Sequence, residues 1–195
     1  IREPLRAIFR KAEGRVFVSC FASSIHRLQV VMDLAREFDR QVIALGRSMV
    51  TNLKIAQDLG YLKVPPEVLQ PFSEHARLAP EETVFLATGS QGEPRSAMNR
   101  LAYDQYRRIM IRDGDTVILS TRIIPGNERS VTGMINHFYR RGAFVYDSRT
   151  SLVHSSGHGF QADLKILLNL TRPRYFVPTH GEYRQLAKHA GLAAD

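Results

Sequence analysis

Two stretches near the C-terminal end place histidine beside glycine, a combination that suits acid–base chemistry, phosphate binding or metal ligation. The first, "LVHSSGHGFQADL", contains His154 and His158, and the second, "YFVPTHGEYRQL", contains His180. Each stretch puts histidine at or just past an apolar run and ahead of a helix-like segment. Neutral imidazole binds metals, and imidazolium donates hydrogen bonds to phosphate oxygens. The alternative is that these histidines are ordinary loop residues.

His180 carries the more specific signal of the two stretches. The run "RYFVPT" before it predicts a strand that delivers His180 to the carboxyl edge of a sheet, where Gly181 permits close approach and Glu182 could orient an imidazole. A catalytic zinc needs about three protein ligands, however. The chain contains no HxHxDH, HExxH or CxxC motif, so the residues by themselves indicate an incomplete metal site.

Short β-branched runs alternate with amphipathic helical runs along the chain, which predicts a three-layer α/β domain with a mainly parallel sheet flanked by helices. The predicted strands are "RVFVSC", "QVIAL", "TVFLATG", "DTVILS", "AFVYD" and "RYFVPTH". The predicted helices are "SSIHRLQVVMDLAREFD", "MVTNLKIAQDLG", "RSAMNRLAYDQYRRIM", "NERSVTGMINHFYRRG", "FQADLKILLNLT" and "EYRQLAKHA".

In such a sheet, binding residues belong to the loops that follow the carboxyl ends of the strands. These loops are rich in serine, threonine, glycine, arginine and histidine, which are residues that bind phosphate well. The candidate residues in or beside them are His26, Ser90 and His154, together with Arg27, Arg47, Arg95, Arg122 and Arg129 for a nucleic-acid backbone. The alternative is that short polar loops simply connect strands to helices.

The composition is compatible with a polyanionic partner. The net charge is +8, from 27 lysines and arginines against 19 acidic residues, and the 195 residues are enough for one domain or slightly more. A basic protein without a nucleic-acid partner is the competing interpretation. Cys20 is the one cysteine, which excludes an intramolecular disulfide framework and suits a reducing cytoplasm. No apolar run has the length of a membrane span.

Several long blocks, in order and at plausible spacing, resemble the β-CASP region of ribonuclease J, a family of ribonucleases with a metallo-β-lactamase fold. They include "EGRVFVSCFASSIHRLQVVMDLA", "ATGSQGEPRSAMNRLA", "GDTVILSTRIIPGNERSV", "VHSSGHGFQADL" and "PRYFVPTHGEYRQLAKHA". The resemblance implies a β-CASP domain over residues 1–170. It also implies that residues 171–195 begin the returning metallo-β-lactamase segment.

The resemblance also implies roles for individual residues. His158 would be the catalytic β-CASP histidine that contacts the scissile phosphate, and His180 would be the last zinc ligand, with Glu182 beside it. Ser155, Ser156 and Gly157 would hold a phosphate, for which the 5′-monophosphate of RNA is the candidate.

By the same resemblance, the intact enzyme would hold two zinc ions, act on RNA by 5′-exonucleolytic or internal cleavage, and form a homo-oligomer. The metallo-β-lactamase lobe with the other metal ligands is expected to lie outside this chain. The alternatives are a non-catalytic RNA-binding module and a nucleotide-binding α/β protein. "GSQGEP" favours the latter only weakly, since it has neither GxGxxG spacing nor a Walker lysine.

Overall fold

The structure is a computed structural model that describes residues 1–106 and 108–194, and the chain divides into two compact units, Ile1–Ser155 and Ser156–Asp195. The helices of the first unit are α1 (Arg2–Lys11), α2 (Ile25–Glu37), α3 (Arg47–Asp58), α4 (Ala97–Ala102) and α5 (Glu128–Arg140). Its strands are β1 (Val16–Ser19), β2 (Gln41–Leu45), β3 (Leu69–Gln70), β4 (Thr83–Ala87), β5 (Thr116–Leu119) and β6 (Phe144–Tyr146). Short 3₁₀ helices cover Phe72–Ala76 and Pro80–Glu82.

Within the described residues, the strands of the first unit form one sheet in the order β3-β2-β4-β1-β5-β6. Every neighbouring pair is parallel. The central strand β1 is in register with both neighbours, so that Val16 lies opposite Val84 on one side and Thr116 on the other. All residues of β1, β4 and β5 are buried, because helices cover both faces of a parallel sheet. The predicted α/β architecture is confirmed.

Alternate residues of the four inner strands β1, β2, β4 and β5 pack into two separate apolar cores. Val16 and Val18 pack on the side of α1, α2 and α3, whereas Phe17 packs on the side of α4 and α5 and stacks on Phe85 with ring centroids 4.8 Å apart. This alternation follows from the two-residue period of a strand. The apolar faces of the helices pack in these cores. The polar side chains available for function are therefore found mainly in the loops at the strand ends.

The local pattern of α2 shows why the sequence prediction works for the long helices. Leu28, Val31, Met32 and Ala35 recur at three- and four-residue spacing, and all four are buried. The period places them on one stripe of the helix, which packs against the sheet.

The prediction of a helix over 95–110 is wrong in its length. The helix α4 ends at Ala102, and Asp104 adopts a left-handed backbone conformation (φ 55°) that terminates it. The amide of Gln105 then donates to the carbonyl of Arg100 and closes the turn. Arg107, part of the same prediction, lies outside the described residues.

The strand predicted over 174–180 is also wrong. No strand is present among the described residues of the second unit, which contains α6 (Gln161–Thr171) and α7 (Tyr183–Ala194). The segment between these helices has β-branched and aromatic residues, but it finds no strand to pair with, and Pro173 and Pro178 each remove a backbone donor. His180 is therefore reached by an irregular segment.

Candidate functional site

The carboxyl ends of the central strands bring four of the predicted loops to one edge of the first unit. Ser19, at the end of β1, lies opposite Ala87 of β4 and Leu119 of β5, and Leu45 of β2 also lies opposite Ala87. Strands that end in register start their following loops side by side. The edge therefore collects residues 21–26, 46–52, 89–96 and 121–128, which are four of the loops that the sequence predicts for it. His26 lies here, exposed in the first turn of α2.

Arg27 is a buried cation at this edge. Its residue is only 7% exposed, and its Nη1 donates to the carbonyl of Ser120 at 2.5 Å while Nη2 donates to the carbonyl of Ser155 at 3.4 Å. Among the described residues, no carboxylate pairs with it and its Nε has no partner. The prediction that Arg27 contacts nucleic acid at the surface does not match this position. The guanidinium instead ties the end of β5 to the end of the first unit.

The start of the first histidine stretch is fixed at Ser120, the residue that follows β5. The hydroxyl of Ser120 donates to the carbonyl of Val153 at 2.5 Å, and Val153 is completely buried. Together with the bonds from Arg27, this contact sets the point from which the chain continues to Ser155 and beyond. The backbone at this point is held by the core of the first unit.

His154 is half-buried beside these groups. Burial lowers the pKa of His154, and the positive charges of Arg27 and Arg122 lower it further, against the opposing effect of a backbone hydrogen bond at Ser120. Its Nδ1 is buried without a hydrogen-bond partner in the described structure. The imidazole is therefore neutral near pH 7. A neutral imidazole offers phosphate one N–H donor at most, so a contact by His154 stays a prediction.

The middle of the loop after β4, at Ser90 and Gln91, is closed rather than open to a ligand. Ser90, a predicted phosphate contact, is only 3% exposed, so its side chain does not face solvent. Gln91 is also buried, and its Nε2 donates to the carbonyl of Arg122 at 2.9 Å while its Oε1 accepts from the amide of Ile124 at 2.9 Å. Gln91 thus joins the loops after β4 and β5, and it fixes the backbone that presents the exposed Arg122. Sequence reasoning missed Gln91, because a glutamine in a glycine-rich loop has no distinguishing spacing.

The predicted phosphate loop is exposed from Ser155 to His158. Ser156 Oγ accepts a hydrogen bond from the amide of His158 at 3.1 Å, which closes a small turn. No atom lies near enough to Gly157 to contact an added Cβ. The turn presents two serine side chains and an imidazole to solvent within four residues. These groups suit a phosphate in number and type.

His180 has no metal-binding partners around it in the described structure. It is exposed and adopts a left-handed backbone conformation (φ 62°). Glu182 is equally exposed and forms a 3.4 Å ion pair with Arg184. In residues 1–106 and 108–194, no group of three or more histidines, cysteines or acidic residues is placed to hold a metal ion. The residues present therefore do not fit a zinc ion by themselves, since catalytic zinc takes three protein ligands.

The family described as "Ribonuclease J, beta-CASP domain" matches residues 13–138 of the chain. The chain belongs to this ribonuclease J family. A second family, described as "Zn-dependent metallo-hydrolase RNA specificity domain", matches residues 146–195, which include His154, His158 and His180. The resemblance inferred from the sequence is confirmed, and the second description connects the histidine-bearing segment to zinc-dependent hydrolases and RNA.

Three relatives named ribonuclease J have similar sequences over nearly all of the chain. The protein from Thermus thermophilus is 46% identical over 193 residues, which cover 99% of this chain and 34% of the relative. The protein from Synechocystis is 42% identical over 189 residues, which cover 97% of this chain and 30% of the relative. The protein from Corynebacterium glutamicum is 41% identical over 189 residues, which cover 97% of this chain and 26% of the relative. The chain thus spans roughly a third or less of the curated relatives it matches. No helix in the described ribonuclease J segment has the length and apolar character needed to cross a membrane.

Proposed function

We propose that this chain is the RNA-clamping portion of a zinc-dependent ribonuclease that hydrolyses phosphodiester bonds in RNA processing and decay. The observation that carries the proposal is the exposed turn of Ser155, Ser156, Gly157 and His158, which lies in the segment matched to an RNA specificity domain. Its hydroxyls and imidazole are hydrogen-bond donors that suit a phosphate group.

In this proposal, the turn binds a phosphate of the RNA and favours a 5′-monophosphate. The serine hydroxyls donate to the phosphate oxygens and hold the RNA in place. His158 Nε2 or Nδ1 donates a proton or a hydrogen bond to an oxygen of the scissile phosphate, where negative charge increases during hydrolysis. Arg27 and Ser120 hold the backbone of Val153 and Ser155 at the end of the first unit, just before this turn continues. We extend the candidate contacts to His26, His154 and Arg122, and we leave out Ser90 because it is buried.

His180 is proposed to supply one imidazole to a centre of two zinc ions. The other ligands would come from regions of the relatives that have no counterpart in this chain, and Glu182 would orient a neighbouring group. Residues 171–195 would then belong to the returning metallo-β-lactamase segment and residues 1–170 to the β-CASP domain. A cytoplasmic location and a homo-oligomeric intact protein are further parts of the proposal, supported by the resemblance.

Binding of single-stranded RNA tests the proposed turn. We expect fluorescence anisotropy to show tighter binding of an RNA with a 5′-monophosphate than of the same RNA with a 5′-hydroxyl. His158→Ala and Ser156→Ala should remove most of that difference. Thr132→Ala, an exposed hydroxyl removed from α5, is the control and should leave it unchanged. Equal affinity for both RNAs, or no binding at low salt, would contradict the proposal.

A second candidate function is a non-catalytic RNA-binding module, which the lack of a clustered metal site in the described residues favours for the chain by itself. Zinc titration tests whether the chain by itself holds a complete metal site. The isolated chain should bind zinc weakly and cleave no RNA. Tight stoichiometric zinc binding together with cleavage would show that the chain holds a complete site, and the division of ligands proposed above would then be wrong.

A further inference from the structure

An open cleft of about 690 Å³ lies at the carboxyl ends of β2 and β4, entirely within the first unit. Gly46 follows β2 on one side, and Thr88 follows β4 on the other. From here α3 packs on one face of the sheet and α4 on the opposite face. Ligands of open α/β sheets bind in a crevice of this kind, where neighbouring strands send their connections to opposite faces.

The charges around this cleft are all of one sign. Arg47, Arg95 and Arg100 line it, and none of its lining residues is acidic. Across the described residues, none of these three arginines has an ion-pair partner. Several cations around one concave surface raise the local potential and attract an anion.

The three arginines differ in how firmly they are held. Arg100 is half-buried, its Nη2 donates to the carbonyl of Gln105 at 3.0 Å, and its guanidinium lies over the ring of Tyr106 at 5.1 Å. Arg47 and Arg95 are exposed. The cleft therefore combines one fixed cation with two that can adjust to a ligand.

The backbone of α3 adds a further attraction for an anion. Its N-cap is Gly46, which adopts φ 93° and brings no side-chain acceptor to the first turn. The first turn contains no acidic residue either. The first turn of α3 therefore has no side-chain capping oxygen, and its residues Arg47 and Ser48 line the cleft together with Thr51. Uncapped amides, hydroxyls and guanidinium groups are the donors that phosphate oxygens accept from.

We propose that this cleft is a phosphate-binding subsite that takes a backbone phosphate of single-stranded RNA. It is formed by residues other than those of the turn from Ser155 to His158, and the inference rests on the proposed function. Its openness to solvent and its lack of an acceptor carboxylate suit a phosphodiester, whereas readout of a base edge needs paired donors and acceptors. The same donors could hold the phosphate of a free mononucleotide, so the test must separate the two sources.

The test compares the unsubstituted chain with Arg47→Gln/Arg95→Gln. The probe is a short single-stranded RNA with a 5′-hydroxyl and a 3′ fluorophore, so that no 5′-phosphate is present. Affinity measured over a series of salt concentrations should fall about fivefold for each arginine, the upper range for an exposed charge pair. The dependence of log K on log salt should lose about 0.7 for each phosphate contact removed from a single strand.

The matched control is Arg10→Gln/Arg140→Gln. These arginines are exposed in the last turns of α1 and α5, where the chain approaches the amino ends of β1 and β6. The control removes the same two positive charges. It should keep most of the RNA affinity of the unsubstituted chain and most of its dependence on salt concentration. An equal loss in both double variants would overturn the inference, because net charge alone would then explain it.

Competition and the behaviour of the unsubstituted chain complete the test. Adenosine monophosphate and inorganic phosphate should compete with RNA only weakly if the RNA backbone is the ligand. Strong competition that disappears in Arg47→Gln/Arg95→Gln would overturn the assignment to RNA in favour of a free nucleotide.

If the unsubstituted chain binds RNA and the cleft variant binds it equally well, only the cleft is refuted. If the unsubstituted chain binds no RNA, the proposed function fails with it.

Discussion

Replacing Gln91 with methionine tests whether one buried amide holds the loops after β4 and β5 together. The substitution keeps nearly the same volume and removes both hydrogen-bonding groups of the side chain. The amide of Ile124 and the carbonyl of Arg122 each lose a partner at 2.9 Å. Longer contacts of 3.4 Å to Thr121 and Asn127 are lost as well.

The magnitude follows from these contacts. Each of the two bonds at 2.9 Å contributes about 1 kcal/mol net, and the 3.4 Å contacts contribute less. Methionine recovers a small part by burying an apolar group where an amide was buried before. The free energy of unfolding should therefore fall by about 2–3 kcal/mol. The substitution should also increase local opening of the loop after β5, because this loop loses its hydrogen bonds to Gln91 in the loop after β4.

Urea unfolding measures the free energy, and amide hydrogen exchange measures the local effect at Ile124. Gln57→Met is the control, since Gln57 is exposed on α3 and should change stability by less than about 0.5 kcal/mol. A change of similar size in both variants, or unchanged exchange at the Ile124 amide, would refute the role assigned to Gln91. A stability loss with faster exchange at Ile124 supports it.

Two further predictions concern ionisable groups that the fold buries in part or almost fully. Because burial lowers the pKa of His154 below its ordinary 6.5, the unfolded chain takes up a proton near that pH while the folded chain does not. Stability should therefore fall as the pH drops below about 6.5, and His154→Gln should show a smaller fall when urea unfolding is compared at two pH values. Asp115→Asn should cost about 3–5 kcal/mol, because Arg15 and Asp115 form a pair whose side chains are 12% and 4% exposed, and the guanidinium would lose its counter-charge. An unfolding midpoint that stays unchanged would contradict the importance of this pair.

Local sequence was sufficient for the regular elements whose patterns are long. The apolar period of α2, and the continuous apolar runs of β1, β2, β4 and β5, predict elements that the structure contains. These patterns are local consequences of helical and strand geometry, so they can be recognised without a partner. The loops that follow those strands were predicted for the same reason, since a parallel sheet places them at one edge.

Elements that depend on a distant partner were not predictable in this way. The two-residue strand β3 exists because Leu69 and Gln70 lie opposite Val42 and Ile43 of β2. The run before His180 has strand-like residues and finds no such partner, so it remains irregular. Pairing between strands is a tertiary interaction, and a short run carries little information about it.

The sequence by itself determined the fold class, the family and the residue types gathered at the carboxyl edge. Only the tertiary structure decided that Arg27 is buried on two carbonyl groups, that Gln91 joins two loops, and that Arg47, Arg95 and Arg100 surround one cleft. These facts depend on contacts between residues separated by up to 128 positions in the chain. Burial and charge proximity are set by packing between elements, whereas composition and periodicity are set along the chain.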